Sequence, residues 1–384
     1  MKFKEKLLMC SLPLMLFIQG CSDTQSETDD ESSTSDDSFA SMYFNTSEMM
    51  HCYKDLNGKT AVLDYESMET SLLCNKPNCH HTTDRDCIVN RLNGNVPMFS
   101  GTYAYYFIDD YPEITDGEDG KPFLKLGSTL YRFDMKNYSE EKLLYVDGVS
   151  VSMNCYGWLL HDGTIYFVGN HYNTKTDENG FIKNWGNTGG EMELYSIDLS
   201  TKKIQNYGDL YNVTELTKYH PLTSRSGEVY MKGVFDNRIY FQVAFSGGEG
   251  YLHYVKYFDL STKKFVGDPT DYENIDFCSA AFVSNDYLVI TRKGQADIYK
   301  AGQEQPITIQ DMDIIEVSYL AETAFDDKLF LYSKVYDLNT MDCISLPNRE
   351  NTVVIAAYRD NYIVSKENGQ GEFDKIPKKD YLAG

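Results

Sequence analysis

Proline and tryptophan are scarce in this chain of 384 residues, with 10 and 2 copies, and no long segment places apolar residues at the helical period. The missing helical period disfavours a helical bundle, and the low proline content suits extended strands. Phosphate-binding glycine loops, serine-hydrolase elbows, HExxH motifs and CxxC pairs are absent too. No motif therefore indicates a reaction, and an enzyme is the less favoured function class.

Positive charge is also scarce, because the chain carries a formal net charge of −23. Residues 1–20 contribute +2 through Lys2, Lys4, Lys6 and Glu5, so the chain from Cys21 onward carries −25. Such a charge repels nucleic acids and anionic lipid surfaces, and we expect no nucleic-acid partner. Solubility explains the charge as readily as a role in attracting cations does.

A repeated aromatic pattern organises most of the sequence. Three short strands are predicted at Ile165–Val168, Glu193–Asp198 and Lys203–Tyr207, and an Asp-Leu-Ser-Thr turn closes the last two. The pattern returns between Asn237 and Phe265, where the six letters DLSTKK are identical. Tyrosine and phenylalanine, with 31 and 20 copies, fit pleated and half-buried surfaces. A period of roughly 40–50 residues is typical of an array of small β units.

These units predict an all-β fold, a single β-propeller with seven blades, with six or eight as alternatives. Blades avoid the limit of ~250–300 residues on a single core, because each one packs only on its neighbours. We place the blades at 49–74, 98–147, 155–209, 229–267, 278–309, 316–347 and 352–381. Strands from the two chain ends are expected to share one blade and so to remove exposed edges.

The N-terminus has the features of a lipoprotein leader. A basic start and an apolar core at Leu7–Ile18 precede Ile18-Gln19-Gly20-Cys21, which resembles a bacterial lipobox. The resemblance implies cleavage before Cys21, attachment of a diacylglycerol with fatty acyl chains such as palmitate to its thiol, and anchoring on the extracytoplasmic face of the cell membrane. An ordinary secretory leader is the alternative.

An acidic segment rich in serine and threonine follows the leader. It cannot bury enough apolar surface to fold. The predicted domains are thus a signal peptide at 1–20, a disordered tether at 21–41 and the propeller at 42–384. As a coil of 20 residues, the tether would reach about 25 Å.

Long inserts are predicted to build a binding face on one rim of the propeller. In a four-stranded meander, the loop between the second and third strands opens on the same side as the link to the next blade. The inserts Asp109–Ser128 and Asn170–Glu191 lie in the first kind of loop, and Asn75–Pro97 and Leu210–Glu228 are links. Aromatic and charged residues suited to a glycan or a cationic ligand lie in these inserts: Asp110, Tyr111, Asp119, Tyr172, Trp185, Tyr211, Tyr219, His220 and Arg225. Solvated loops with tyrosines packed on the blades are the alternative.

A cluster of cysteine and histidine is the most distinctive motif. The stretch from Cys74 to Cys79, with His81 and Cys87 after it, resembles a motif of lipoproteins from Gram-positive, mostly gut-dwelling bacteria. The ectodomains of that family look like propellers related to the YWTD type of the low-density-lipoprotein receptor. The resemblance implies a fold and a location, and it implies no reaction.

The residues of this cluster admit three states. Cys74, Cys79, His81 and Cys87 could hold a structural zinc ion as a Cys3His site. Disulfides between Cys74 and Cys79 and between Cys87 and Cys52 are the second state, and free thiols are the third. Three further cysteines, Cys155, Cys278 and Cys343, are expected to be small buried apolar residues.

The sequence therefore predicts a membrane-anchored binding module for a glycan, a peptide or another envelope protein. An extracellular glycoside hydrolase or lyase with carboxylates in loops or near the axis is the alternative.

Overall fold

The structure is a computed structural model, and it describes most of the chain from Ser38 onward. The described residues are 38–39, 44–46, 50–55, 57–74, 79, 81, 87–92, 97–116, 122–151, 157–171, 175–176, 182–184, 192–220, 222, 227–247, 250–266, 273, 275–278, 280–284, 287–292, 294–303, 305–310, 322–331, 334–346, 352–366 and 372–383. The predicted signal peptide and Cys21 lie outside these ranges. Among the described residues, no helix combines the length and the hydropathy that crossing a bilayer requires.

Seven antiparallel sheets of three or more strands follow one another along the described chain, and we number them in that order. A short strand, β1 (Ser38–Phe39), precedes them. Sheet 1 contains β2 (Phe44–Thr46), β3 (Met50–Lys54), β4 (Thr60–Asp64) and β5 (Thr70–Leu72). Helix α1 (Ile88–Leu92) follows, and then sheet 2 with β6 (Met98–Ser100), β7 (Tyr103–Asp116), β8 (Pro122–Asp134) and β9 (Ser139–Asp147).

Sheets 3 and 4 carry the additional short elements. Strand β10 (Val149–Ser150) pairs with the second strand of sheet 3, which consists of β11 (Trp158–His161), β12 (Thr164–His171), β15 (Glu193–Asp198) and β16 (Lys203–Asp209). A separate two-stranded sheet, β13 (Lys175–Thr176) and β14 (Ile182–Asn184), lies between β12 and β15 in the sequence. Helix α2 (Val213–Tyr219) leads to sheet 4, which consists of β17 (Glu228–Phe235), β18 (Arg238–Gly247), β19 (Gly250–Asp259) and β20 (Lys264–Val266).

The last three sheets are more regular. Strand β21 (Phe277–Cys278) pairs with β19 and leads to sheet 5, which contains β22 (Ala280–Ser284), β23 (Tyr287–Arg292), β24 (Gln295–Lys300) and β25 (Ile307–Gln310). Sheet 6 contains β26 (Glu322–Phe325), β27 (Lys328–Leu331), β28 (Lys334–Asp337) and β29 (Cys343–Ser345). Sheet 7 has three strands, β30 (Thr352–Tyr358), β31 (Asn361–Lys366) and β32 (Glu372–Pro377), and helix α3 (Lys378–Leu382) follows it.

The sheets pack side by side in a closed ring. The first strand of each sheet contacts the first strand of the next sheet, from β2 through to β30. A buried apolar cluster fills each interface from sheets 1 and 2 round to sheets 6 and 7. A seventh cluster joins sheet 7 back to sheet 1 through Leu63, Tyr65, Ile355 and Ile363. This architecture is a β-propeller, so the predicted all-β propeller is confirmed. Seven blades stays a prediction for the whole chain.

A shared turn explains the repeated sequence. At the end of β15, the carboxylate of Asp198 accepts hydrogen bonds from the backbone N–H groups of Ser200 and Thr201, at 2.9 and 2.8 Å. Lys202 then adopts a φ of 57°. Four other sheets repeat the pattern after their third strands, at Asp64, Asp134, Asp259 and Asp337. The hydrogen bonds to Asp198, from Ser200 first, lower its pKa to about 2. These aspartates therefore close turns.

Two details of the predicted architecture are wrong. Within the described residues, sheet 1 contains only N-terminal strands and sheet 7 only C-terminal ones, so the chain ends share no blade. Ser38 and Phe39, predicted as tether, instead pair with Leu160 and Leu159 of β11. The ring closes without a shared sheet because apolar side chains of sheets 1 and 7 pack directly on each other.

The two inserts predicted as loops contain strands. Asp109 and Asp110 pair with Ser128 and Gly127, and the β7–β8 ladder continues as far as the pair Asp116 and Pro122. The insert after β12 contains the separate hairpin of β13 and β14. Backbone groups that leave a blade still need hydrogen-bond partners, and a hairpin supplies them within the insert itself.

Candidate functional site

The predicted binding face is only partly described. Asp110 and Tyr111 lie in β7, but their side chains are outside the description. Asp119, Tyr172, Trp185 and Arg225 fall wholly outside the described residues, as does Cys21. The structure therefore tests this face at three residues, all in the link between sheets 3 and 4.

The prediction is wrong for Tyr211, whose side chain is 1% exposed. Its ring packs edge-on against Phe245 at 4.9 Å, and its hydroxyl accepts a hydrogen bond from Gly227 N at 3.3 Å. The residue lies just before α2, where it fills the core between sheets 3 and 4. It holds the link in place and presents nothing to a ligand.

Tyr219 and His220 end helix α2 and remain available at the surface. Asn212 caps the start of this helix by accepting a hydrogen bond from Glu215 N at 3.1 Å, and Leu216 faces the core. Tyr219 is 48% exposed, which is unusual for a large apolar ring. The ring of His220 is half-buried and lies edge-on to Phe277, 4.9 Å away.

A groove of about 660 Å³ lies between sheets 4 and 5. Sheet 4 lines it with Arg238, Tyr240 and Tyr257, and sheet 5 lines it with Arg292 and Tyr299. The guanidinium group of Arg238 lies over the ring of Tyr257, 5.3 Å from its centroid. A volume of this size suits a small organic ligand, and the lining offers both aromatic faces and hydrogen-bonding groups.

Carboxylates neutralise Arg292 within the groove. Its guanidinium forms ion pairs with Asp276 and Asp297, and its Nε donates a second hydrogen bond to Asp276 at 3.1 Å. Asp297 also accepts hydrogen bonds from Thr308 at 2.7 Å and from Gln295 at 3.0 Å. The hydrogen bond to Asp276 raises the pKa of Arg292. The guanidinium is therefore a fixed, charged donor, and its two carboxylate partners give the trio a net charge of −1.

The groove and α2 are connected through the link between sheets 4 and 5. The ring of His220 contacts that of Phe277. The residue before Phe277 in the chain, Asp276, forms an ion pair with Arg292 in the groove. The link between sheets 4 and 5 therefore contacts both the end of α2 and a groove that the sequence did not reveal. Arg238, Tyr257, Asp276 and Arg292 are far apart in the sequence, and no local pattern marks them as a set.

The cysteine and histidine motif forms a compact group at the interface of sheets 1 and 2. One ligand atom from each of Cys74, Cys79, His81 and Cys87 can be chosen so that all four lie within 4.8 Å of one another. His81 Nδ1 and Cys87 Sγ are 3.4 Å apart. Cys74 and Cys87 are 3% and 1% exposed, whereas Cys79 and His81 are half-buried.

Local structure converges these four side chains. Cys74 follows β5, and Cys87 directly precedes α1, where its carbonyl accepts a hydrogen bond from Arg91 N at 3.0 Å. His81 has a φ of 51°, which turns the chain back, and Lys59 Nζ donates to its carbonyl at 2.9 Å. The sequence spacing thus predicted a group that the fold does bring together.

The other cysteines differ in their surroundings. Outside the group, the described cysteines are the free thiols Cys52, Cys278 and Cys343. Cys52 is fully buried in the same apolar cluster as Cys74, and burial raises the pKa of its thiol. Cys278 is buried as predicted, but Cys343 is exposed, because β29 is the outer strand of sheet 6. Cys155 lies outside the described residues.

Comparison with known proteins finds likeness to solved structures at low identity. No protein-family model matches the chain, and no curated protein sequence matches it. Among solved structures, the β-propeller domain of the trilobed protease from Pyrococcus furiosus is 11% identical with a TM-score of 0.34, covering 73% of this chain and 82% of that one.

Two enzymes are similar at the same level. An ulvan lyase of polysaccharide lyase family PL25 is 9% identical with a TM-score of 0.40, covering 90% of this chain and 95% of that one. An acylaminoacyl peptidase from Pyrococcus horikoshii is 10% identical with a TM-score of 0.40, covering 83% of this chain. This chain spans 47% of the peptidase, about half its length. Such distant likenesses support no inference about activity.

Proposed function

We propose that the protein is a lipid-anchored, extracytoplasmic propeller that binds a carbohydrate in the groove between sheets 4 and 5. The observation that carries this proposal is the lining of the groove, which Tyr240, Tyr257 and Tyr299 share with the paired Arg292 and Asp276. Sugar rings present apolar faces that stack on aromatic rings, and their hydroxyl groups both donate and accept hydrogen bonds.

The charges of the groove favour an uncharged polyol over an anion. Asp276 and Asp297 already balance the guanidinium of Arg292, and Asp259 lies 3.9 Å from that of Arg238. The chain as a whole carries −23, which repels anionic ligands. A carboxylate paired with a guanidinium can instead bind neighbouring hydroxyl groups of one sugar, because the carboxylate accepts hydrogen bonds and the guanidinium donates them.

The carboxyl groups of the described residues reveal no candidate acid for hydrolysis. Those with a clearly displaced pKa are all shifted downward: Glu66, Asp134, Asp198, Asp259, Asp327 and Asp337. A glycoside hydrolase needs a carboxylic acid that keeps its proton near neutral pH, and environments that raise the pKa supply it. Four of the six groups with a lowered pKa, Asp134, Asp198, Asp259 and Asp337, are the turn-closing aspartates.

The location rests on the leader and on the resemblance of the cysteine motif to Gram-positive lipoproteins. Metabolic labelling with a fatty-acid analogue should mark the wild-type chain and leave Cys21→Ala unmarked. Label on Cys21→Ala, or no label on either protein, would contradict lipid anchoring at this residue.

Binding can be tested on the chain from Ser22 onward with an array of polysaccharide fragments, with product analysis of every fragment that binds. Saturable binding without shortening of the fragment is the expected result. Tyr257→Ala should weaken it about tenfold, since a stacked aromatic ring contributes roughly 1 kcal/mol or more.

Tyr131→Ala is the matched control, because Tyr131 is also half-buried in a sheet and has Arg91 over its ring at 4.3 Å. It should bind like the wild type. Equal losses in both variants would remove the groove as the site, and release of shorter products would identify an enzyme instead.

A further inference from the structure

We infer that Cys74, Cys79, His81 and Cys87 bind one zinc ion that fixes the link between sheets 1 and 2. This inference is independent of the carbohydrate groove, which lies between other sheets. It rests on the convergence of three sulfur atoms and one imidazole nitrogen within 4.8 Å of one another.

The distances are close to those of an occupied site. Tetrahedral zinc with bonds of roughly 2.3 Å to sulfur and 2.0 Å to nitrogen separates two sulfur ligands by about 3.8 Å, and sulfur from nitrogen by about 3.5 Å. The contact between His81 Nδ1 and Cys87 Sγ is 3.4 Å. Since no pair exceeds 4.8 Å, an inward shift of about 1 Å or less completes the tetrahedron. The geometry assigns Nδ1 as the ligand atom of His81.

The donor set selects the metal. Three thiolates and one imidazole are soft and borderline ligands, which suit zinc and disfavour magnesium and calcium. Four protein ligands fill the tetrahedral positions and leave none for water or substrate, so the ion is structural. Zinc with three thiolates carries a net charge of −1, and Lys59, bonded to the carbonyl of His81, supplies a positive charge next to the site.

Disulfides account for this group less well. A disulfide joins two sulfur atoms at about 2.05 Å and gives a histidine no part. Here the imidazole belongs to the group, whereas Cys52, the expected disulfide partner of Cys87, does not. Cys52 instead packs among the apolar side chains of the interface.

A zinc ion would have a definite mechanical effect. The link from β5 to α1 contains the four ligands, and its two ends, Cys74 and Cys87, belong to the buried cluster of sheets 1 and 2. Coordination closes this link on itself and holds α1, whose Ile88, Val89 and Leu92 are buried, against sheet 2. Because the ligands converge in the folded protein, the free energy of zinc binding adds to the free energy that stabilises this interface.

The test uses the full-length chain, purified in detergent without added metal, and measures metal content by mass spectrometry. About one equivalent of zinc per chain is expected. Cys79→Ser, Cys87→Ser and His81→Gln should each lose most of it. Cys52→Ser, in the same cluster but outside the group, and Cys343→Ser, at the surface, should both keep it.

His81→Cys guards against variants that fail to fold, because a fourth thiolate also suits zinc. It should retain the ion, and after cobalt exchange its thiolate-to-metal absorption should exceed that of the cobalt-loaded wild type. Metal-free wild-type protein would overturn the inference, whether its thiols react freely with an alkylating reagent or prove to be disulfides. Stoichiometric iron, or zinc loss in Cys52→Ser equal to that in Cys87→Ser, would overturn it as well.

Discussion

Acid should weaken the contact between sheets 1 and 7, because it forces a proton onto His51. This side chain lies in β3 and is 0% exposed. Its ring stacks on Tyr53 and lies edge-on to Phe373 of β32, with both centroids 5.7 Å away. Burial lowers the pKa of His51 from 6.5 to about 3. The imidazole is therefore neutral in the folded protein across the physiological range.

The magnitude follows from linkage between protonation and folding. Since the folded pKa lies below the unfolded one, the stabilisation is complete above pH 6.5 and is lost as the pH falls toward 3. Each pH unit inside this window costs about 1.4 kcal/mol. Between pH 7 and pH 4.5, His51 alone should lower the free energy of unfolding by about 2.5 kcal/mol. This is a large share of the ~5–15 kcal/mol that stabilises a typical domain.

The assay compares denaturant unfolding of the wild type and of His51→Phe at several pH values. Phenylalanine keeps an aromatic ring between Tyr53 and Phe373 and cannot be protonated. Other titrating groups contribute equally to both proteins, so their difference isolates His51. The wild type should lose about 2.5 kcal/mol more than the variant between pH 7 and 4.5. Parallel stability curves would refute the reasoning.

Three further predictions concern single side chains. Tyr211→Phe should lower the free energy of unfolding by about 1 kcal/mol, because the hydroxyl forms hydrogen bonds with both the N–H and the carbonyl of Gly227. Tyr219→Ala should leave the free energy of unfolding nearly unchanged. Equal effects of the two substitutions in urea titrations would contradict this prediction. Burial lowers the pKa of Lys256 to about 8. The free energy of unfolding of the wild type should therefore rise by about 2 kcal/mol more than that of Lys256→Met between pH 8 and 10. Parallel curves of stability against pH for the two proteins would count against this prediction. Lys202 has a φ of 57°, a conformation that a β-branched side chain strains, so Lys202→Val should lower the free energy of unfolding by about 1 kcal/mol. Thermal melts of Lys202→Gly should show no loss of stability.

Local chemistry made the repeats predictable from the sequence. An aspartate whose carboxylate accepts hydrogen bonds from backbone N–H groups two and three residues later needs only its own neighbours. Asp198 and Asp259 therefore mark their turns with identical sequences. The cysteine group was predictable for a similar reason. Its members lie within one short link, and a compact link keeps such residues near one another.

The link before sheet 4 combines a buried and an exposed tyrosine that the sequence pattern alone does not distinguish. Tyr211 and Tyr219 were both assigned to a binding face, although a helix begins between them. The signal for α2 was present, since Asn212 and Glu215 have the spacing of an N-terminal capping pair. With that helix in place, Tyr211, the residue before the cap, is buried in the core, and Tyr219, the last helical residue, is exposed.

The groove could not be predicted, because its residues come together only through packing between sheets. Arg238 and Tyr257 lie on neighbouring strands of sheet 4, and Arg292 lies on sheet 5. Their contacts depend on strand register and on how two sheets face each other. Single-sequence periodicity determines which side of a strand is buried, but not which residue of the next sheet it meets.

Ring closure also determines where this propeller should open first. The chain itself links each sheet to the next, but no link runs from sheet 7 to sheet 1, and the two share no strand within the described residues. Among the described residues, side-chain contacts cross there, such as the hydrogen bonds from Tyr358 to Glu66 at 2.6 Å and from Lys375 to the carbonyl of Tyr65 at 2.9 Å. Separating these sheets frees a terminal unit without stretching any connection, whereas opening elsewhere strains a link. Loss of this interface should therefore precede global unfolding, and His51 places an acid-sensitive group inside it.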